Sequence, residues 1–566
     1  MDSRTKRYIA YLNSLHNYNA QNENAFGEKN VGSEFFKETV VEIGLSKYIE
    51  KFFLNDEPHI IILSGHAGDG KTSIMYEVLR DLGIEFKAYE KENEVTLKSG
   101  RQCCCIKDFS ELSDEEKVET LKRVLEYPAG GKFVFMVANT GPLINTFNQI
   151  YTENQEETES KIIEALDENS GKITDINGKS IRLINVAGVD NTYFAKEFLN
   201  NLIKDELWED CSHCEKRDFC FVYRNQRLIK ENRSKVEDFI YKNYIWMMEY
   251  GTRLTIRSMT EQLAYMITGG RNCDEVKPVE KYKMLFTNLF FGCIGTEDNP
   301  RSDVILAIRE TKKNRFDQKR LSADESLLIK RDYSYIFSDE FGNIIAEAEI
   351  ENRNIEGWDQ FLRRAYIFAN IITDEKALES DYKDIFSKNF GRYINIREGK
   401  QSPGSSENSL VSDALSMIYL GSTLKKGGMN DIPLTMSRES GLMQNVQLIT
   451  GMIPARRMSV IAEKTNDNSF NEGKERYVMR LKIAGDILDT VLTLPLLDYF
   501  EELKRGVVVT NVDPQLTHGV ESLKSQLSAI CDDSIENVIE MIELTNSGNK
   551  DIQLDFSNPY HIKEAY

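Results

Sequence analysis

Residues 60–82 read IIILSGHAGDGKTSIMYEVLRDL. The apolar run 60–63 predicts a buried strand, the glycines after it predict a tight loop, and 73–82 is typical of a helix. The loop fits the pattern G-x-x-x-x-G-K-[ST] without a mismatch, in the residues Gly65, His66, Ala67, Gly68, Asp69, Gly70, Lys71 and Thr72. A strand, this loop and a helix in succession predict a phosphate-binding site in an α/β domain.

Each part of the loop has a chemical reason to hold a nucleotide. Glycines let backbone N–H groups wrap phosphate oxygens, and the N-terminus of the following helix adds partial positive charge. Lys71 is expected to neutralise the β and γ phosphates, Thr72 to bind Mg²⁺, and Ser73 to complete the binding segment. No N-K-x-D guanine motif follows at a useful distance, which favours ATP over GTP.

Further strand candidates predict the rest of the sheet. They are Gln102–Ile106, Phe133–Val137 and Ile181–Val186, and a helix is predicted over 114–126. Strands that alternate with helices indicate a mainly parallel sheet. We therefore predict an α/β fold: a P-loop NTPase core, a helical lid with a cysteine-containing insert, and an α+β C-terminal region.

The domain boundaries follow shifts in composition. The predicted regions are a helical lead-in over 1–57, the core over 58–205, the cysteine cluster and lid over 206–275, a mainly helical region over 276–400 and an α+β partner-binding region over 401–566. The stretch 399–409, GKQSPGSSENS, is predicted to be a linker. A polar hairpin is predicted near 339–342.

A hydrolytic site also needs a carboxylate to hold magnesium and a group to orient water. Asp108 follows the strand candidate 102–106, so we expect it to bind Mg²⁺ and Glu111 to polarise the water. Asp190 is the alternative, but its strand is the last of the set and is expected to lie farther from the loop. A purely structural role for Asp108, as a cap of the next helix, stays open.

Two more polar residues are candidates for sensing the γ-phosphate. Asn139 ends the apolar strand in KFVFMVANTGPL, which resembles the sensor strand of AAA+ ATPases. Arg257 lies near the start of a predicted helix in GTRLTIRSMTEQLAYMITGG, where an AAA+-like lid directs an arginine at the nucleotide. A turn asparagine and a solvated surface arginine are the alternatives.

A cysteine cluster, defined as Cys211, Cys214 and Cys220, has the spacing C-x2-C-x5-C. The first pair has zinc-knuckle spacing, so the cluster predicts a zinc site. Tetrahedral zinc needs a fourth ligand, for which Cys273, Cys293 or a histidine is available. A three-cysteine iron–sulfur site and a core packed by free thiols remain alternatives.

Composition sets the class of protein. The 566 residues, 41% hydrophobic and 29% charged, predict a globular chain of several domains and exclude a disordered one. The 91 acidic against 71 basic residues give a net charge of −20, so nucleic acid could bind only at a local basic patch. Without a membrane-length apolar run or a signal-peptide pattern, we expect a cytoplasmic protein with no membrane contact.

Five segments, in order and spacing, resemble one family of bacterial proteins. They are SGHAGDGKTS, KDFSEL, FMVANTGPL, CSHCEKRDFCFVYRN and RLTIRSMTEQLAYMITGG, within about residues 55–275. Together they resemble the DptF family, the P-loop ATPases of DNA phosphorothioation-dependent restriction systems. The resemblance implies a component of defence against phage and foreign DNA, with partners of the DptG and DptH type. Lys107, directly before Asp108, departs from a standard magnesium-site strand.

We therefore expect an AAA+-like ATPase whose nucleotide state reshapes a lid and a partner-binding region, and which meets DNA through its complex. Two alternatives stay open. One is a nucleotide-binding scaffold that does not hydrolyse ATP, motivated by the irregular KDFSEL stretch. The other is a self-contained nuclease or effector with its chemistry in 410–566. Whether the chain forms a homo-oligomer is left open by the sequence.

Overall fold

A computed structural model describes most of the chain. It describes residues 3–16, 33–66, 68–84, 92–277, 283–292, 302–313, 315–352, 357–369, 382–383, 385–421, 431–436, 446–465, 475–507, 513–531, 538–545, 548–557 and 563–565. Of the helices in these ranges, none is long and apolar enough to cross a membrane. Ala67 and Cys293, both named from the sequence, lie outside the described residues.

The chain divides into two compact units. The first comprises 1–381 with 467–474, and the second comprises 382–466 with 475–566. The first unit begins with an α/β domain, whose elements are α1 Arg4–Ser14, α2 Phe36–Thr39, α3 Gly44–Asn55, β1 Ile60–Ser64, α4 Lys71–Asp81, β2 Glu92–Thr96, β3 Gln102–Ile106, α5 Asp114–Val124, β4 Lys132–Val137, α6 Thr140–Ile150, α7 Gln155–Glu168, β5 Ile173–Ile176 and β6 Lys179–Asn185.

These strands form one six-stranded sheet in the order β2-β3-β4-β1-β6-β5. The four central strands β3, β4, β1 and β6 are parallel, while β2 and β5 pair antiparallel at the two edges. The predicted α/β class with a mainly parallel sheet is confirmed. One expectation was wrong: β6 pairs directly with β1, although the last predicted strand was expected to lie away from the loop.

Apolar side chains bury both faces of this sheet. Ile60, Ile62, Val134 and Met136 contribute to a core cluster that includes residues of α5, α6 and α7. On α3, the ring of Phe53 lies 5.1 and 5.4 Å from the rings of two β4 residues, Phe133 and Phe135. The continuous apolar run of β1 follows from this burial on both faces.

Helices make up most of the remainder of the first unit. They are α8 Ala195–Leu202, α9 Phe221–Glu231, α10 Arg233–Glu249, α11 Ile256–Thr268, α12 Phe286–Leu289, α13 Leu306–Lys313, α14 Tyr333–Ile336, α15 Asp339–Asn352 and α16 Trp358–Ala369. The hairpin predicted near 339–342 is wrong, because these residues form the first turn of α15.

The second unit contains helices and two antiparallel sheets. Its elements are α17 Phe390–Arg397, α18 Ser405–Leu420, β7 Ile432–Thr435, β8 Val446–Ile453, β9 Met458–Lys464, β10 Tyr477–Ile483, β11 Asp486–Val491, α19 Leu494–Lys504, α20 Pro514–Ile530, β12 Val538–Thr545, β13 Gly548–Asp555 and β14 Lys563–Ala565. The sheet orders are β11-β10-β9 and β14-β13-β12-β8-β7.

The predicted linker 399–409 is also wrong in its second half, because α18 begins at Ser405. The side chain of Glu407 secures this start. Its Oε2 accepts the N–H of Gly404 at 2.8 Å, and Arg392 on α17 donates to both carboxylate oxygens at 2.6 and 2.8 Å. The serines that suggest a linker therefore open a helix that is held by an ion pair.

Candidate nucleotide-binding site

The candidate site lies at the carboxyl ends of the parallel strands. From β1 the chain crosses to β3 and β4 on one side, and then returns to β6 on the other side. In open α/β sheets, such a reversal leaves a crevice outside the carboxyl ends of the strands. The glycine-rich loop, defined as residues 65–70, connects β1 to α4 at this point.

Two glycines of the loop adopt backbone conformations that other residues rarely adopt. Gly68 has φ +89°, and a Cβ atom there would lie 3.0 Å from Oγ1 of Thr255. Gly70 has φ +83° and precedes the first helical residue of α4. Thr255 caps α11 by accepting the N–H of Ser258. The glycines therefore let the loop wrap the start of α4 while it contacts the start of α11.

Lys71 is the first residue of α4, and its ammonium group is bent back over the loop. Its Nζ donates to the carbonyls of Gly65 and His66 at 3.1 and 2.7 Å, and to Oδ1 of Asn139 at 3.0 Å. Burial lowers the pKa of Lys71; the charges of Arg257 and Arg253 lower it further, and the carboxylates of Asp69 and Asp108 oppose them. Thr72 and Ser73 follow in the same turn and are half-buried.

Asn139 connects the tips of neighbouring strands. It follows β4, which lies between β1 and β3. Its N–H donates to Oγ of Ser110, in the turn after β3, at 2.7 Å. The next residue, Thr140, shares a 2.9 Å hydrogen bond with Ser64 at the end of β1. These contacts hold the Asn139 amide against Lys71, so the structure brings together two residues that the sequence named separately.

A buried ion pair joins the loop to the segment before α11. Oδ1 of Asp69 lies 2.5 Å from Nη1 of Arg253, and the Asp69 side chain has 0% of its surface exposed. Oδ2 of Asp69 accepts the N–H of His66 at 2.7 Å. Sequence reasoning missed this pair, because Asp69 occupies a variable position of the loop pattern and Arg253 is 184 residues away.

Arg257, the arginine chosen from the sequence, lies in the first turn of α11 and is half-buried. Its positive charge contributes to the lowered pKa of Lys71, so it lies within electrostatic range of the site. No described residue forms an ion pair or hydrogen bond with its guanidinium. One turn later, burial raises the pKa of Glu261 to about 7, against which the charge of Arg257 acts.

The Glu261 carboxyl should make stability depend on pH. Because its pKa is raised in the folded protein from an ordinary value of 4.5, stability is lost as the pH rises from 4.5 through about 7. Relative to wild type, the free energy of unfolding of the Glu261→Gln variant should therefore increase by on the order of 2–3 kcal/mol between pH 4.5 and pH 8. Urea unfolding at both pH values measures this gain. The same gain in Glu119→Gln, an exposed position on α5, would refute the assignment.

The predicted acidic residues have different environments. Asp108 follows β3, is half-buried, and occupies the cap position of the turn Phe109–Glu111 without a side-chain capping bond. Glu111 is exposed, and its side chain forms no hydrogen bond or ion pair with a described residue. Asp190 is buried and accepts hydrogen bonds from the N–H and hydroxyl of Thr192, so it caps its own turn. Asp108 is thus the carboxylate better placed for a cation beside Lys71.

The cysteine cluster lies away from this crevice, between α8 and α9. Cys211 and Cys220 are buried, Cys214 is exposed, and each is a free thiol. In the described part of the chain, no three His, Cys, Asp or Glu side chains already stand in a metal-binding arrangement. Three further cysteines, Cys103–Cys105, follow one another in β3 and are buried in the sheet core.

Comparisons of the chain with protein-family models, with curated proteins and with solved structures found no match.

Proposed function

We propose that the chain binds ATP with Mg²⁺ at residues 65–73. The observation that carries this proposal is the position of Lys71, whose buried ammonium is held by two loop carbonyls and by Asn139. An ammonium held this way can exchange its carbonyl partners for phosphate oxygens without leaving the crevice. The Gly70 turn directs the N-terminus of α4, with its unpaired N–H groups, towards the same space.

The same residues support hydrolysis of ATP. Thr72 and Asp108 would hold Mg²⁺, which would neutralise negative charge on the terminal phosphates. Asn139 has an amide that would contact the γ-phosphate, and Arg257 would supply a positive charge that already acts on Lys71. The chemistry would consist of positioning and charge neutralisation rather than a covalent intermediate.

A second candidate function is nucleotide binding without turnover. It is favoured by Glu111, which is exposed and makes no contact that would aim it at a water molecule. In this case the chain would act as a scaffold whose shape depends on bound ATP. For the third candidate, a self-contained nuclease or effector, the described part of 410–566 shows no group of three His, Cys, Asp or Glu side chains that could hold a catalytic metal.

The biological role that we propose rests on the resemblance to the DptF family. The chain would be a cytoplasmic ATPase of a phosphorothioation-dependent restriction complex, with partners of the DptG and DptH type and with DNA bound through the complex. ATP hydrolysis by the purified chain, alone and then with its partners and DNA, tests this role. Stimulation by partners and DNA supports it; turnover that is unchanged by both would contradict it.

Asn139→Ala should separate binding from turnover. Because the amide contacts Lys71 and is expected to act on the γ-phosphate, kcat should fall by about 100-fold, as for loss of one charge-stabilising donor. ATP affinity should change much less, since Lys71 retains its loop contacts. Steady-state kinetics and equilibrium binding measure the two effects. Asn154→Ala, at an exposed asparagine that also precedes a helix, is the control and should leave both values unchanged.

A further inference from the structure

We propose that Cys211, Cys214, Cys220 and Cys273 together bind one zinc ion, and that this four-thiolate centre fixes the C-terminal end of α11. The inference is independent of the proposed ATP site. Its starting point is the cysteine cluster, which supplies three of the four ligands that tetrahedral zinc requires.

The local fold brings the three clustered cysteines together. Cys211 lies in the turn Glu209–His213, Cys214 ends that turn, and Cys220 precedes the first residue of α9. Backbone hydrogen bonds from Cys214 to Cys211 and from Cys220 to Lys216 close two successive turns. The chain thus folds back on itself between the first and third cysteine, as a metal-binding knuckle requires.

A hydrogen bond joins Cys273 to this knuckle, and α1 holds the residues on both sides of Cys273. Nζ of Lys216, between Cys214 and Cys220, donates to the carbonyl of Cys273 at 2.8 Å. The flanking residues Asn272 and Asp274 are bound to α1, by a hydrogen bond to Asn13 and an ion pair with Lys6. The turn after α11 is therefore held against the segment that carries the other three thiols.

The thiols also influence each other electrostatically. Burial raises the pKa of Cys211 to about 12, and the neighbouring Cys220, Cys273 and Cys214 raise it further. Burial likewise raises the pKa of Cys273 to about 11, with Cys220 and Cys214 adding to the effect. Each of the four cysteines thus lies within electrostatic range of the others.

Zinc binding would draw the four thiols into one coordination shell. The described thiols do not yet stand at coordinating positions, so side-chain rotation must accompany binding. Zinc would replace the thiol protons, because thiolate is the form that coordinates the ion. Four thiolates fill a closed tetrahedral shell, which is the pattern of a structural rather than a catalytic site.

The consequence for the fold follows from α11. Its last residue is Thr268, five residues before Cys273, and its capping residue Thr255 packs against the glycine-rich loop. A zinc ion at the four cysteines would tie the far end of this helix to the cluster and to α1. It would thereby fix the orientation of α11 at the crevice.

Metal analysis of the full-length chain, purified without a histidine tag or chelator, tests the proposal. We expect about one zinc per chain, and loss of nearly all of it in Cys273→Ser after dialysis against a chelator. The control is Cys531→Ser, which changes a buried cysteine of the second unit and should keep its zinc. Equal zinc retention in Cys273→Ser and wild type would overturn the assignment of the fourth ligand.

A second measurement does not depend on the folding of a variant. Cobalt added to the metal-free wild-type chain should give the intense charge-transfer absorbance of thiolate ligands and the visible bands of a tetrahedral ion. A wild-type chain that contains no zinc and gives no such spectrum would overturn the site. A brown, iron-containing protein with a sulfide-bridged cluster would overturn the choice of zinc.

Discussion

Lys71→Ala should reduce the affinity for ATP by about 100-fold, or about 2.8 kcal/mol, and abolish turnover. The Lys71 ammonium is the buried cation in the crevice that is already bound to the glycine-rich loop and to Asn139. Its removal leaves the phosphates with the backbone N–H groups, Mg²⁺, Asn139 and Arg257. Calorimetric titration with ATP and Mg²⁺ measures the loss.

The variant should remain folded. Burial lowers the pKa of Lys71, which means that the folded protein holds this charge at a cost. Removing the charge should therefore change the free energy of unfolding by less than about 1 kcal/mol. Lys122→Ala, at an exposed lysine of α5, is the matched control for loss of a charge elsewhere in the domain. Wild-type ATP affinity in Lys71→Ala would defeat the assignment of the loop.

The second large effect concerns stability rather than binding. Arg253→Ala should lower the free energy of unfolding by about 3 kcal/mol, because it leaves the fully buried carboxylate of Asp69 without its counter-charge. This expected loss lies at the lower end of the range for breaking a buried ion pair, since 27% of the Arg253 side chain is exposed. Denaturant unfolding of the full chain measures the change.

A double-mutant cycle distinguishes this ion pair from simple loss of packing. Asp69→Asn combined with Arg253→Met should be more stable than the sum of the single changes predicts, because neither variant side chain then requires a counter-charge. Arg257→Ala is the control. It removes an arginine from the same segment, but one that forms no ion pair with a described residue, and should cost less than about 1 kcal/mol. Additive effects in the cycle would contradict the role of the pair.

The sequence predicts the central strands of the α/β domain well for a physical reason. β1, β3, β4 and β6 are buried inside the sheet, so their apolar runs stand out from the polar segments around them. The edge strands β2 and β5 mix polar with apolar residues, with sequences ENEVT and ITDI, and give no such signal. Their pairing is decided by the neighbouring strand rather than by their own composition.

Tertiary contacts explain the predictions that failed. The linker predicted at 399–409 contains the start of α18, whose Glu407 is fixed by Arg392. The Asp69–Arg253 pair and the position of β6 beside β1 both depend on how distant segments meet. Lys71 and Asn139 each belong to a local sequence motif, so the sequence predicts each residue separately. Their hydrogen bond depends on the tertiary fold and could not be predicted.

Amide hydrogen exchange of the full-length chain, with and without saturating ATP and Mg²⁺, tests the central claim most directly. It reports both whether the nucleotide binds and which residues it covers. Binding at the proposed site predicts slower exchange in peptides that span residues 65–73 and 251–257. Unchanged exchange at 65–73 in the presence of saturating nucleotide would contradict the account.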